Sequence, residues 1–389
     1  MTDEGSLAGS DVEVDVGPVA HGGHCVARHE GQVVFVRHAI PGERVRARVT
    51  EQTAKYLRAD AVEILQPSPH RVEPPCPYAG PGRCGGCDFQ HVAIDEQRRL
   101  KAQVVTDTLR RIGKIEYDVS MEHVPGDDGL GWRSRMRYVV VDGRPGMYAH
   151  RSHDLVPVDR CLIAHPDSPP VLGKAWPGTD AVQTVVSSTG ETAVLPGDAG
   201  RVHEQVRDRR FRVDADGFWQ VHPAAAETLV DAVLAGLEPR AGETALDLYS
   251  GVGLFAAFLA EAGCTVLAVE ADEAAVRNAR RNLHDLPAVK LEAGKVGRVL
   301  AGAVRQGLES VDLVVLDPPR TGAGPDVVRA IAGLSPRRVA YVACDPAALA
   351  RDLRVFLDTG YELTGLRAFD VFGMTHHIEC VAVLTRSDP

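Results

Sequence analysis

Cys344 stands where a thiol could act as a nucleophile. The residues before it, VAYVA (339–343), are a short apolar run rich in β-formers, which predicts a buried parallel strand. Asp345 and Pro346 come next, ahead of the helix formers AALARDL. Asp is a good N-cap and Pro suits the first helical turn, so a helix should begin there. A thiol between a strand's carboxyl end and a helix N-terminus sits where open α/β sheets bind ligands, and the helix dipole favours its thiolate. The same position also suits a small residue that merely ends a strand.

Cys76, Cys84 and Cys87 form a second constellation, C-x7-C-x2-C in CPYAGPGRCGGC, with Cys161 much later in DRCLI. The C-x2-C gap lets two thiolates reach one metal, and the intervening glycines let the loop wrap closely. Soft thiolates suit zinc or an iron–sulfur cluster, and spacing does not decide between them. Cys25, Cys264 and Cys380 read as structural thiols.

The third constellation is LDLYSGVGLF (246–255), a Gly-x-Gly turn between a strand and a helix. Gly251, Gly253 and Ala256 would satisfy a dinucleotide fingerprint as well. Asp247 is placed to fix the loop and meet a cationic amino-acid end, which tilts the reading toward S-adenosylmethionine. Glu270 closes the next strand, where a carboxylate can accept ribose hydroxyls, although dinucleotide-binding proteins use one there too. VVLDPPRTG (314–322) then ends a strand in Asp317-Pro318-Pro319-Arg320, a stiff turn whose prolines hold it open beside the cofactor.

These groups need elements to hold them. Length (389 residues) allows two or three domains, and 44% apolar with 25% charged residues is ordinary for a soluble chain. A formal charge of −10 argues against indiscriminate coating of nucleic acid but leaves room for a local basic groove. No apolar run approaches the ~20 residues of a membrane helix, and the acidic residues 1–10 read as a loose tail rather than a secretory signal. A cytoplasmic location is expected, with no membrane or protein partner implied.

Residues 11–66 alternate apolar and polar positions between Gly and Pro turns, which predicts a small five-stranded barrel. Its edges carry His21, His24, Arg28, Arg37, Arg44, Arg46 and Arg48, either a nucleic-acid surface or a solvated one. A proline-rich linker leads to a β-rich central region, 67–217, containing an amphipathic helix over 93–113 that could pack on the catalytic domain. In GWRSRMRYVVV (131–141), Arg133, Arg135 and Arg137 fall on one strand face, a phosphate track or an edge with carboxylates opposite. From 218 to 389 strands and helices alternate, so the fold class is α/β, with a parallel sheet. Its two last strand runs, near 361–371 and 376–385, should make an antiparallel edge.

GPVAHGGHCVAR with VVFVRHAIPGERV resembles the TRAM domain, an RNA-binding module. The DPPR turn, VACDP and HHIEC together resemble the RNA uracil-C5 methyltransferase family, and the resemblance covers essentially the whole chain. It implies a Rossmann-like class I methyltransferase domain behind a β-rich central domain and a TRAM-like barrel, with tRNA or 23S rRNA as partner. It implies Cys344 as nucleophile, Glu379 as base, and cofactor positions at Gln220, Tyr249, Gly251, Leu254, Glu270 and Asp317. The cysteine spacing is similar to the family's loop for a 4Fe–4S cluster, which favours iron over zinc at Cys76, Cys84, Cys87 and Cys161. Two departures are Leu254, where relatives carry Asn, and EAGKV (292–296), which offers no evident acid for the adenine.

The expected chemistry is addition of the Cys344 thiolate to uracil C6, methyl capture at C5, and removal of the C5 proton by Glu379. A base in a stem would have to flip out to reach the site. Rivals are methylation of another RNA atom without a covalent thiol, a non-catalytic RNA-binding iron–sulfur protein, and a dinucleotide oxidoreductase.

Overall fold

The structure, a computed structural model, describes residues 7–126, 128–197 and 200–387. The first six residues of the expected tail lie outside the described residues, but Leu7 onward is not loose. The Gly9 amide donates to Val49 O at 2.8 Å, and Leu7 packs on the first core.

Strands β1 (Asp11–Asp15), β2 (Cys25–His29), β3 (Gln32–Arg37), β4 (Arg44–Gln52) and β5 (Tyr56–Gln66) make one sheet in the order β1-β4-β5-β3-β2. Strict alternation in β1 buries Val12 and Val14 and leaves its acids outside. Hydrogen bonds between Gly17 and Val26 and between Val26 and Pro18 bring the sheet's two ends together, so it rolls into a small barrel. On its outer face Arg44, Arg46 and Arg48 meet Glu13, Glu63 and Asp11, the solvated alternative for these residues.

Helix α1 (Ile94–Thr108) runs into a π-helical turn, Leu109–Gly113, closed by Lys114 in the left-handed region. It packs against the last helix of the chain and is tied to the catalytic sheet by Lys101. A short strand β6 (Met121–His123) follows, then β7 (Arg135–Val141), β8 (Arg144–Tyr148), β9 (Leu155–Val156), β10 (Ala181–Val186) and β11 (Thr192–Leu195), which form a separate five-stranded sheet without β6. The hairpin β12 (Arg201–Val206) and β13 (Arg209–Asp214) turns its apolar side onto the core of the C-terminal α/β region. There Phe211 sits 5.7 Å from Trp219 and 6.1 Å from Phe258, ring pairs worth about 1 kcal/mol each beyond their burial.

The remaining elements are α2 (Ala225–Leu237), β14 (Thr244–Leu248), α3 (Leu254–Glu261), β15 (Thr265–Glu270), α4 (Glu273–Asn282), β16 (Val289–Ala293), α5 (Val296–Arg305), β17 (Leu313–Leu316), α6 (Pro325–Gly333), β18 (Arg338–Ala343), α7 (Pro346–Asp358), β19 (Tyr361–Asp370) and β20 (Glu379–Arg386). They build an eight-stranded sheet, β16-β15-β14-β17-β18-β20-β19-β6. Strands β14–β18 are parallel, with helices on both faces, because Val- and Leu-rich runs such as LVVL and RVAYVA must be covered on both sides. The two terminal runs are antiparallel, as expected. β20 lies between β18 and β19, and the far edge is closed by β6, which arrives from before the domain and pairs parallel with β19. The strand order reverses between β14 and β17, so their carboxyl ends open a crevice there. No helix among the described residues is long and apolar enough to cross a membrane.

Candidate active site

Asp345 caps α7 as its composition predicts. Its Oδ1 accepts from the amides of Ala347 (3.0 Å) and Ala348 (2.8 Å), and Pro346 opens the helix. Cys344 is therefore held at the end of β18, half-buried. In the antiparallel ladder Ala343 stands opposite Cys380. The next position on each strand belongs to Cys344 and Glu379, and opposed residues share a sheet face. Cys380 points the other way and is fully buried in the core.

Glu379 is 4% exposed. Burial and the nearby Asp317 charge hold its carboxyl well above the usual range, with Arg320 opposing. Burial also pushes the Cys344 thiol up to about 11; Glu379 and Asp317 add to this, while Arg320 works against it. This corrects the expectation of a thiolate favoured by the helix start. The sequence showed the dipole but not the two carboxyls that tertiary folding sets beside the sulfur.

The cofactor loop follows β14. Asp247, 1% exposed, accepts from the Ala256 amide through Oδ2 at 2.7 Å, which pins the first turn of α3. Its Oδ1 is buried without a partner among the described residues, as is Ser250 Oγ. Tyr249 is held at φ 63° and Gly251 at φ 55°, a left-handed stretch that Tyr adopts only under constraint. Gly253 has φ 93°, and a Cβ there would lie 2.7 Å from Leu283. Glu270 receives Gly251 N (2.8 Å), Ala271 N (2.6 Å) and Asp272 N (2.7 Å) on its carboxylate, so it shapes the loop as well as facing it. Leu254, the first residue of α3, is buried in the core, where an Asn could not pack as well. Glu292 of the EAGKV stretch pairs with Lys290 at 2.9 Å. An orphaned buried carboxylate oxygen above an open glycine turn fits an amino acid's ammonium group, so these residues suit S-adenosylmethionine.

Gln220 lies half-buried in the loop before α2, whose Val221 carbonyl accepts from Ser134 Oγ at 2.9 Å. Phe218 beside it is 75% exposed, an aromatic face open to a ligand. Asp317 ends β17, and its amide donates to Leu248 O at 3.2 Å.

Three contacts escaped the sequence reading. Asp352 on α7, 4% exposed, accepts through Oδ2 from Tyr341 OH (2.6 Å), Ala323 N (2.8 Å) and Gly324 N (3.2 Å), so the helix that follows Cys344 also holds the DPPR loop. Its place on the apolar stripe with Leu349 and Phe356 was the available signal. His21 of the barrel pairs with the cap residue Asp345 at 3.2 Å. His376 pairs with Asp88 at 2.5 Å, and its ring lies tilted against His377 with centroids 4.2 Å apart, so it is engaged within the protein.

Cys76, Cys84, Cys87 and Cys161 line one small cavity of about 30 Å³. All are free thiols; Gly86 N donates to Cys84 Sγ and Gln90 Nε2 to Cys87 Sγ, each at 3.4 Å. Four thiols with N–H donors fit a soft metal group. Among the described residues no three His, Cys, Asp or Glu side chains are arranged to hold a metal ion.

Of the two readings of the arginine face, a phosphate track or carboxylates opposite, Arg135 takes the second. Arg135 turns inward to Glu204 (3.2 Å) and the carbonyls of Ala215 and Gly217 (3.1 and 3.0 Å). Arg133 donates to Arg135 O, and Arg137 stays exposed. Period two set the three on one face, but the hairpin covers part of that face and supplies the carboxylate.

Residues 180–387 match the family profile described as tRNA (Uracil-5-)-methyltransferase, and residues 5–62 match the TRAM domain. The chain is similar to an uncharacterised RNA methyltransferase of Streptomyces coelicolor, 48% identical over 97% of this chain and 93% of that one. Another from Caldanaerobacter subterraneus is 33% identical over 97% and 98% of the two chains. Among solved structures, Pyrococcus abyssi tRNA (uracil-54, C5)-methyltransferase in complex with S-adenosyl-L-homocysteine shares the fold, with TM-score 0.72 and 24% identity over 95% of this chain and 99% of that one.

Proposed function

The chain belongs to the tRNA (uracil-5-)-methyltransferase family, a family of S-adenosylmethionine-dependent RNA methyltransferases, and we propose that it methylates C5 of a uridine in tRNA or 23S rRNA through a covalent adduct of Cys344 with C6. The observation that carries this reading is the closeness of Cys344 and Glu379, each one position beyond the last paired residues of adjacent strands, with Asp317 and Arg320 near both.

Uracil C5 is a poor nucleophile. Cys344 Sγ adds to C6, and the electrons of the C5–C6 double bond move toward the C4 oxygen, making C5 enolate-like. S-adenosylmethionine supplies the electrophilic methyl group on a sulfonium sulfur. Once C5 carries the methyl, Glu379 takes its proton, the C5–C6 double bond re-forms, and the Cys344–C6 bond breaks with its electrons returning to sulfur. Both Cys344 and Glu379 are held toward their neutral forms, so the site needs a cation to ionise them. Arg320 is one, and the sulfonium charge is the other. Gln220, Tyr249, Gly251, Glu270 and Asp317 would hold the cofactor, Asp247 Oδ1 would meet its ammonium, and Phe218 offers a face for a flipped base.

RNA carrying 5-fluorouridine cannot release its C5 substituent as a proton, so it should remain bonded to the protein when cofactor is present. Glu379→Gln should trap ordinary uridine RNA in the same way, and Cys344→Ser should form no adduct. An adduct recovered from the Cys344 variant would overturn the assignment.

The four cysteines around the central cavity are proposed to carry a 4Fe–4S cluster, in a structural role. Anaerobically purified protein should be brown and contain iron and acid-labile sulfide; colourless protein carrying zinc would refute it.

A further inference from the structure

Glu379 begins β20, and the segment before it, Val371–Ile378, is a strap without regular structure between β19 and β20. Residues from outside the methyltransferase domain hold this strap. Lys101 Nζ donates to Phe372 O (3.0 Å), and Trp132 Nε1 to Gly373 O (3.2 Å). Gln97 Oε1 accepts from Met374 N (3.0 Å), while the amides of Asp88 and Phe89 donate to Met374 O (2.9 and 3.0 Å). From Thr375 to Ile378, the hydrogen bonds that arrive from other elements, among the described residues, all come from Asp88. Its Oδ2 takes His376 Nδ1 at 2.5 Å and His376 N at 3.2 Å.

Asp88 is itself fixed from two further sides. Its other oxygen meets Arg37 of the barrel at 3.3 Å, and both side chains are nearly buried, 10% and 8% exposed. Cys87 of the central cavity is its chain neighbour. The His376 Cβ also borders the barrel loop so closely that a Cβ on Gly23 would lie 2.8 Å from it.

We propose that Asp88 is a positioning residue for the base. By gripping His376 three residues ahead of Glu379, it sets where the carboxyl stands, and it ties that position to the barrel and to the cysteine loop. A shift of about 1 Å in a reacting group can cost on the order of a hundredfold in rate. This inference rests on the proposed covalent mechanism, in which methyl capture precedes the Glu379 step. A loosened anchor therefore slows proton removal selectively.

The full-length protein would be tested in single turnovers on mixed tRNA and rRNA transcripts labelled with 5-tritiated uridine, reading methyl incorporation, covalent adduct and tritium release. Asp88→Asn should slow tritium release about 10- to 100-fold, leave methyl incorporation within a few-fold of wild type, and let methylated adduct accumulate. His376→Ala, which leaves the chain next to Cys87 unchanged, should give the same signature. The double variant should be little worse than Asp88→Asn alone, because the side-chain contact that His376→Ala removes is one the Asp88 change already alters. Methyl transfer and tritium release falling together, a rise in KM alone, or multiplicative single effects would overturn the proposal. Glu379→Gln serves as reference. If it too fails to accumulate adduct, the covalent reading has failed; if it accumulates adduct and Asp88→Asn does not, only this inference has.

Discussion

Replacing Asp247 by Asn should make the cofactor-free protein more stable and its cofactor binding weaker. Asp247 is 1% exposed, with one oxygen on Ala256 N and the other unpartnered. Burial pushes its carboxyl from 3.8 up to about 7, with the charges of Asp317 and Glu270 adding to the effect. A carboxyl that holds its proton more tightly in the folded chain favours the fold only while it stays protonated. Its contribution is therefore intact below about pH 4, falls as pH rises toward 7, and stays low above that. The gap between 3.8 and 7 corresponds to about 4 kcal/mol as an upper figure for the penalty at pH 8. Asn keeps an acceptor for Ala256 N and carries no charge, so it escapes the penalty. Urea melts of both proteins should diverge between pH 4 and 7, with the variant more stable by up to a few kcal/mol at pH 8. Titration with S-adenosylmethionine should reverse the order, since the variant loses a charge-assisted bond to the ammonium worth about 1.5–3 kcal/mol, roughly 10- to 100-fold in Kd. A variant less stable than wild type at pH 8, or a stability difference independent of pH, would refute the reasoning.

Other tests reach the rest of the site. Lys101, 1% exposed, pairs with the fully buried Asp370 at 2.6 Å, with Arg98 at 3.3 Å as second partner. Lys101→Met should cost about 2–4 kcal/mol in urea melts followed by tryptophan fluorescence, and Lys101→Met with Asp370→Leu should cost less than the single change; a double variant worse than the single one contradicts this. Alkylation of Cys344, followed by mass spectrometry of its peptide, should rise about tenfold per pH unit from 8 to 10 and level off near 11, because the thiolate is scarce below that value. S-adenosylmethionine should shift that curve to lower pH through its positive charge, and a midpoint near 9 without cofactor contradicts the burial argument. Gly253→Ala combines φ 93° with a Cβ 2.7 Å from Leu283, so it should lose about 1–3 kcal/mol in denaturation and weaken cofactor binding; unchanged melts would mean the loop yields easily.

Much of the architecture was legible because it is written in short-range patterns. Alternation marked the barrel strands, apolar runs marked β14, β15, β17 and β18, and Asp345-Pro346 marked the start of α7 to the residue. β16, α5 and α6 went unnamed. VKLEA is a half-exposed edge strand whose apolar pattern barely departs from a loop, and the helices after it carry narrow buried stripes. The arginine face stayed open between a phosphate track and opposing carboxylates because periodicity reports a face and not what covers it. Arg135 found Glu204, 69 positions away in the chain.

The sequence by itself determined the fold class, the strand-to-helix corner at Cys344, the glycine turn after β14 and the cysteine loop, since each depends on residues within about one element of one another. Tertiary structure decided the electrostatics and the anchoring. It set Glu379 and Asp317 near Cys344, left Asp247 Oδ1 orphaned, and joined Asp88 to His376 across 288 positions. Charge acts through space and burial removes the water that would mute it, so a thiol's ionisation belongs to the folded neighbourhood and cannot be read along the chain.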